Sequence, residues 1–291
     1  MKGRIICIKA DLFTVLCDGE ALKARASRLF QMNEVDLKVG DEVEIKMLET
    51  KNKAYIVGSY PRINSLDRPP IANINIAMVA ISVKEPIFND NLLDRFLTIL
   101  SFNNIDTVIL FTKWDLLVGE EINHMNDIVA YYEKIGYTCF RLTTKGTPPE
   151  ELLSLIKGKI CVIAGQSGVG KSTFLNQLDP SLNLPTDEIS EALGRGKHTT
   201  RHVEIYQIGD TWIADTPGFG TMDFRDFTGS DIAHNFVELF EASHKCRFSM
   251  CLHKAEPGCE VRRLVDNGTI KLSRYNNYLQ FLQEVKRNKR W

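Results

Sequence analysis

The sequence lacks any apolar run long enough to cross a bilayer. A spanning helix needs ~20 such residues, and the longest runs here, such as Ile74 to Val83, stop well short. The opening stretch M-K-G-R-I-I-C-I-K-A-D puts charge on both sides of a very short apolar segment, so it does not read as a secretory leader. Cysteine is sparse and odd in number, seven in 291 residues, which excludes a disulfide framework and fits a reducing compartment. These absences predict a cytoplasmic protein without a membrane span. Neither sign of charge dominates, with 36 Lys and Arg against 37 Asp and Glu, and there are no internal repeats or low-complexity tracts. With 44% apolar and 25% charged residues, the chain is neither disordered nor fibrous, and its length suggests two or three globular units.

What is present is unevenly distributed. Cys7, Cys17, Cys139 and Cys161 lie singly in apolar, strand-like surroundings and read as core thiols, whereas Cys246, Cys251 and Cys259 crowd into one polar loop. From Arg262 to Trp291 there are eight Lys or Arg against two acids, so the positive field gathers at the C-terminal end and the remainder is acidic.

Short β-type runs fill the first sixty residues: R-I-I-C-I, F-T-V-L-C, E-A-L-K-A-R-A, D-E-V-E-I-K-M and K-A-Y-I-V, separated by turn pieces such as C-D-G-E and K-V-G-D. Five such strands predict a small closed barrel, either SH3-like or of the OB type, and we take the OB type as the expectation. Pro61 to Pro70 reads as a linker. Beyond it the period changes. A buried strand at Ile76 to Val83 precedes an amphipathic helix over Asp90 to Phe102, capped by Asn89 or Asp90. Then come a strand at Thr107 to Phe111, a helix near Glu121 to Ile135, a strand at Tyr137 to Leu142, a short helix and a strand at Lys159 to Ala164. Strands alternating with helices imply a parallel sheet covered on both faces. After about Ser230 the pattern is helical. The expected α/β architecture is an OB-type barrel over 1–62, a P-loop domain over 63–228 and a mostly α, metal-binding domain over 229–291.

Gly165-Gln166-Ser167-Gly168-Val169-Gly170-Lys171-Ser172, followed by Thr173, comes after the strand I-C-V-I-A and opens a helix. That is the setting of a phosphate loop. Its glycines let backbone N–H groups turn toward phosphates, the helix N-terminus adds positive potential, Lys171 reaches the β and γ oxygens, and the Ser172 hydroxyl suits Mg²⁺. Some forty residues on, a strand runs into Asp215-Thr216-Pro217-Gly218, where Asp215 can hold Mg²⁺ through water and Gly218 can offer an N–H to a γ-phosphate. Between them, the glycine-punctuated segment A-L-G-R-G-K-H-T-T-R has too few core residues to be rigid. Thr200 is the expected switch threonine meeting Mg²⁺ and the γ-phosphate, with Thr199 the alternative.

Thr112-Lys113-Trp114-Asp115 ends another strand. There Asp115 can accept from two guanine hydrogens, a pairing adenine cannot make, while the Lys113 stem lies along the purine. Asn is usual at the first position in GTPases, so Thr112 leaves one loop-fixing hydrogen bond open. Thr143 and Thr144, after the following strand, are the expected backbone contacts to the base. The base reader precedes the phosphate loop by about fifty residues, the reverse of the usual order. A circular permutation accounts for this, because a parallel sheet brings all these loops to its carboxyl edge wherever the chain is cut. The cut leaves the following domain tethered directly to the γ-phosphate sensor.

Cys246, Cys251, His253 and Cys259 bring three thiols and an imidazole within fourteen residues. Soft ligands so spaced suit one tetrahedral Zn²⁺ in a closed structural site, with His244 as a substitute ligand and incidental cysteines as the alternative. A loop with so little core would depend on metal for its fold.

Together the permuted order, the C-x4-C-x-H-x5-C loop and the N-terminal barrel resemble the bacterial ribosome small-subunit-dependent GTPase A family over nearly the whole chain. The resemblance implies an OB-fold domain, a circularly permuted GTPase domain and a zinc domain. It also implies GTP hydrolysis to GDP, with Mg²⁺, stimulated by the small (30S) ribosomal subunit late in its maturation. Ras-like enzymes carry a water-orienting Gln two residues past the sensor glycine, but Phe219 and Gly220 follow Gly218 here. In the resembling proteins a histidine of the G-R-G-x-H-T-T stretch is the proposed replacement, which falls on His198. Arg262, Arg263, Lys271, Arg274 and the terminal K-R-N-K-R-W support an rRNA-facing surface, with Tyr275, Tyr278, Leu279 and Leu282 turned inward. A monomer is expected. Two other readings remain at this point: a nucleotide-gated RNA-binding module with incidental hydrolysis, and an ATP-using P-loop enzyme.

Overall fold

The computed structural model describes residues 1–31, 36–48, 53–67, 69–184, 204–215 and 223–288. The first sixty residues form β1 (Lys2–Lys9), β2 (Leu12–Cys17), β3 (Glu20–Ala26), a single turn α1 (Arg28–Gln31), β4 (Glu42–Leu48) and β5 (Lys53–Ser59). Alternation drives the closure: Ile5, Val15, Cys17, Ala24, Val43, Ile45, Ala54 and Ile56 all point inward and form one buried cluster. The strand order is β1-β2-β3-β5-β4, with β4 returning to pair with β1. The β3–β5 pair is parallel and the others antiparallel, giving the closed five-stranded OB-type barrel. Asp18 and Gly19, both at positive φ (48° and 85°), make the two-residue turn between β2 and β3.

The expected linker is more structured than its prolines suggest. Residues Ser65–Asp67 and Pro70–Ala72 form a small hairpin, β6 and β7, that buries Leu66 and Ile71. Lys38, itself buried, donates to the Leu66 carbonyl at 3.0 Å and pairs with Asp67, while Arg62 Nε bonds Asp41 at 2.7 Å. A side chain at Gly40 would meet the Ala72 carbonyl oxygen at 2.0 Å, so hairpin and barrel touch backbone to backbone.

From β8 (Ile76–Ser82) the chain alternates: α2 (Asp90–Phe102), β9 (Thr107–Thr112), α3 (Glu120–Lys134), β10 (Thr138–Arg141), α4 (Glu150–Ile156), β11 (Ile160–Ala164) and α5 (Lys171–Leu178), then β12 (Glu204–Ile208) and β13 (Thr211–Asp215). Asn89 caps α2, its side chain accepting from Leu92 N–H at 3.0 Å. The strand order is β10-β9-β8-β11-β13-β12, parallel except for β12. Every residue of β8 and β11 is buried, as strands covered on both faces must be. At its far side β12 pairs antiparallel with β1 at Glu204 opposite Cys7, so barrel and parallel sheet are one sheet of eleven strands.

Four helices complete the described chain: α6 (Gly229–His234), α7 (Val237–Ser243), α8 (Glu260–Asp266) and α9 (Leu272–Asn288). Thr228 and Asp231 close a reciprocal capping box at the start of α6. Tyr275, Tyr278, Phe281, Leu282 and Val285 of α9 join a buried cluster that also holds Leu93, Phe96 and Leu97 of α2. Arg95 of α2 lies between the rings of Phe224 and Phe281, at 4.7 and 4.8 Å, and pairs with Glu284 through both nitrogens.

Arg274 corrects the sequence reading. It is not a surface cation: its side chain is 2% exposed and bonds Asp94 of α2 at 2.5 Å and Glu238 of α7 at 2.7 Å. Asp94 also accepts from Tyr132 and Asn277, each at 2.7 Å. Burial opposes the charge on Arg274, but the two carboxylates outweigh it and hold the guanidinium well above its ordinary pKa. Arg262 and Arg263 stay exposed, as expected.

Candidate functional site

The phosphate loop leaves the centre of the sheet, where β11 lies between β8 and β13. Gly165 is at φ 150°, and a Cβ there would stand 2.4 Å from the Ala80 carbonyl oxygen of β8. Only glycine fits so tight a passage between strand and loop. Gly170, at φ 95°, is the residue from which α5 starts. Lys171 Nζ folds back onto the loop, donating to the carbonyls of Gly165 (2.8 Å) and Gln166 (2.7 Å). Ser172 is buried in the first turn of α5.

The residues expected to read the base reach the same sheet edge from β9, whose neighbour β8 separates it from β11. Thr112 Oγ1 lies 2.5 Å from the carbonyl of Val169 in the phosphate loop and 3.2 Å from that of Ile81. The tie left open by the loss of Asn is therefore made by the Thr112 hydroxyl. Lys113 adopts a left-handed conformation (φ 60°) and its ammonium donates to the Glu85 carbonyl. Asp115 accepts from Thr144 twice, from the backbone N–H at 2.7 Å and from the hydroxyl at 2.5 Å. Burial works to raise the Asp115 carboxyl, but the Thr144 hydrogen bonds prevail and keep it below its usual range. The carboxylate is thus held ionised and fixed in direction, as an acceptor for two N–H donors must be.

Thr112, Lys113 and Thr144 line a small cleft together with Gly170, Thr173 and Gln177. Gln177 was missed from sequence. It donates to the Thr143 carbonyl at 3.1 Å, joining the phosphate-loop helix to the base loop. Its position four residues after Thr173, on the same helical face, was the available signal. Asp215 ends β13, which pairs with β11. Gly218, His198, Thr199 and Thr200 lie outside the described residues.

A family model, RsgA GTPase, matches residues 59–225. The chain belongs to the RsgA GTPase family. A "Small ribosomal subunit biogenesis GTPase RsgA" from Enterococcus faecalis is 42% identical over 287 residues, covering 98% of this chain and 95% of the relative. Among solved structures, YloQ, described as a circularly permuted GTPase, superposes with a TM-score of 0.81 at 32% identity, covering 98% of this chain and 94% of that one. YjeQ from Thermotoga maritima gives 0.85 at 29% identity, with 98% of each chain covered. The reversed motif order is thus the permutation of this GTPase family, and the chain is a GTPase.

The cysteine loop forms a second centre. Ligand atoms of Cys246, Cys251, His253 and Cys259 all lie within 4.8 Å of one another. His253 Nδ1 is 3.4 Å from Cys259 Sγ and 3.7 Å from Cys246 Sγ, and those sulfurs are 4.0 Å apart. A tetrahedral ion with metal–sulfur bonds of about 2.3 Å needs edges of roughly 3.8 Å, so the four groups fit one metal ion. Burial lowers the His253 pKa and favours the neutral, ligating imidazole. Burial pushes the Cys251 thiol up to about 12, so binding must displace its proton. His244 is exposed beside Phe240 and stands outside the cluster, which removes it as a substitute ligand. No described helix is long and apolar enough to cross a membrane.

Proposed function

We propose that this GTPase acts in the biogenesis of the small ribosomal subunit, hydrolysing GTP to GDP and phosphate when it meets the maturing 30S particle and its rRNA. The name of the Enterococcus faecalis relative supports the ribosomal assignment, and nearly end-to-end coverage supports carrying it to this chain. The observation that supports one shared nucleotide site is the hydroxyl of Thr112 on the Val169 carbonyl, which ties the loop that carries Asp115 to the loop that leads into Lys171.

In this reading the phosphate loop, Gly165 to Thr173, surrounds the triphosphate and Lys171 gives up its carbonyl partners for phosphate oxygens. Asp115 accepts from the guanine edge, with the Thr143 and Thr144 backbone beside it. Ser172, Thr200 and Asp215 would hold the magnesium ion that accompanies GTP and neutralises developing charge. Gly218 senses the γ-phosphate and His198 orients the attacking water. The metal loop takes one structural zinc, which three thiolates and an imidazole favour. Residues 1–62, 63–228 and 229–291 act as barrel, GTPase and metal-binding units. The protein works as a cytoplasmic monomer, and its exposed cations, Arg262 and Arg263 among them, face rRNA.

Phosphate release measured with and without purified small subunits tests this. Acceleration by the small subunit alone is expected, and the same rate with either subunit or none overturns the ribosomal role. His198→Ala should abolish the stimulated rate while leaving GDP affinity intact; undiminished stimulation would remove His198 from the mechanism.

A further inference from the structure

Glu256 lies midway between His253 and Cys259, and a Cys3His ligand set gives it no task. Its carboxylate nevertheless collects three backbone amides. Oε1 accepts from Leu252 N–H at 3.0 Å, and Oε2 accepts from Lys254 at 2.7 Å and Ala255 at 3.0 Å. These donors bracket His253 on both sides. From α9, the Tyr278 hydroxyl donates to the Leu252 carbonyl at 2.8 Å and the Tyr275 hydroxyl to the His253 carbonyl at 2.5 Å. His253 itself sits at φ 56°, in the left-handed region that residues with a side chain avoid. In that conformation its Nδ1 reaches the Cys246 and Cys259 sulfurs, with the residue only 1% exposed.

We propose that Glu256 is the positioning residue of the metal centre, holding the His253 backbone in the left-handed turn that delivers Nδ1 to the cysteine sulfurs. The loop is folded to receive a soft divalent cation by an anion that never touches it. The chemistry requires a carboxylate. Two oxygens with no proton accept three N–H groups, whereas the amide of glutamine would turn a donor toward at least one of them. Partners that orient a ligand in this way set metal affinity through the ligand's geometry. The proposal rests on the reading of the four ligands as a metal site.

The test is titration of the full, metal-stripped chain with cobalt(II), whose visible bands report ligand number and type where zinc is silent. Glu256→Gln is expected to weaken cobalt binding by roughly 10- to 100-fold and to shift the bands toward those of His253→Ala. Because Glu256 acts through His253, adding Glu256→Gln to His253→Ala should cost nothing further. Glu260→Gln, next to Cys259 but bonded to exposed Arg263, should match the wild type within about twofold. Wild-type affinity and bands in Glu256→Gln, or losses that add fully in the double variant, overturn the proposal. If Glu256→Gln does not fold, Glu256→Asp, whose carboxylate is one methylene too short to reach all three amides, serves instead, and unchanged bands there count equally against it. A wild-type chain that takes up no cobalt overturns the metal reading and this proposal together, whereas binding with an insensitive Glu256 overturns this proposal alone.

Discussion

Thr112 couples the base loop to the phosphate loop through one hydroxyl. Thr112→Val keeps the size but leaves the buried Val169 carbonyl without its donor, a loss of about 1–3 kcal/mol. GDP affinity should fall by roughly tenfold or more, while Thr112→Asn, which restores a donor, should stay within a few-fold of the wild type; titration with a fluorescent GDP analogue measures both. Equal affinity in the valine variant would mean that the bond is not made in the nucleotide-bound protein. Asp115 gives a pH prediction. Its carboxyl is held below the ordinary value, so the charged form persists above that lowered pKa and is lost as pH falls through it. GDP binding should therefore persist through the ordinary carboxylate range and be lost only as pH falls through the lowered pKa. A midpoint at or above 5 in the same titration would contradict the role given to the Thr144 hydrogen bonds.

Among the elements, α9 separates what could be read from sequence from what could not. Its apolar stripe was legible, and so was the cap of α2 at Asn89, because both are written in local spacing. Arg274 was misread as a surface cation although it lies on the stripe of Tyr278, Phe281 and Val285, at helical spacings of four, seven and eleven. Its partner Asp94 is 180 residues away, and no local pattern announces such a pairing. The β6–β7 hairpin was hidden for a similar reason: its prolines are local, but the groups that bury Leu66 and Ile71 belong to other segments. The cluster of three cysteines and a histidine was legible because its members fall within one loop, whereas Glu256 and the α9 tyrosines gain meaning only from contacts. Arg274→Met should cost about 3–5 kcal/mol in urea unfolding, since it strands two buried carboxylates. Adding Asp94→Asn and Glu238→Gln should recover much of that loss; no recovery would show that packing, not charge, was removed. Metal removal should act more narrowly than the sequence suggests. Cys251 and Cys259 share the buried cluster of α9, and the His253 ring stands 6.2 Å from that of Tyr278, but α9 also packs on α2 and α6, so a chelator should speed amide exchange in 246–259 and leave α9 protected. Equal loss of protection in α9 would restore the broader dependence.

At the scale of the whole molecule, the barrel and the GTPase sheet meet where Glu204 stands opposite Cys7. Residues directly opposed in an antiparallel pair have Cα atoms about 4.5–5.5 Å apart, within disulfide range. Glu204→Cys should therefore cross-link to the native Cys7 under mild oxidant, seen as a mobility shift on a non-reducing gel and lost in Cys7→Ser. Free thiols at both positions after oxidation would mean that the two strands part in solution.

Among the described residues, closure of the barrel through β1 and β4 leaves the eleven-stranded sheet with one terminal strand instead of two, and that strand, Thr138–Arg141, is four residues long and ends in a cation. Strand-by-strand growth onto another chain needs a long, uncharged rim. The chain thus offers little template for self-association through its largest sheet.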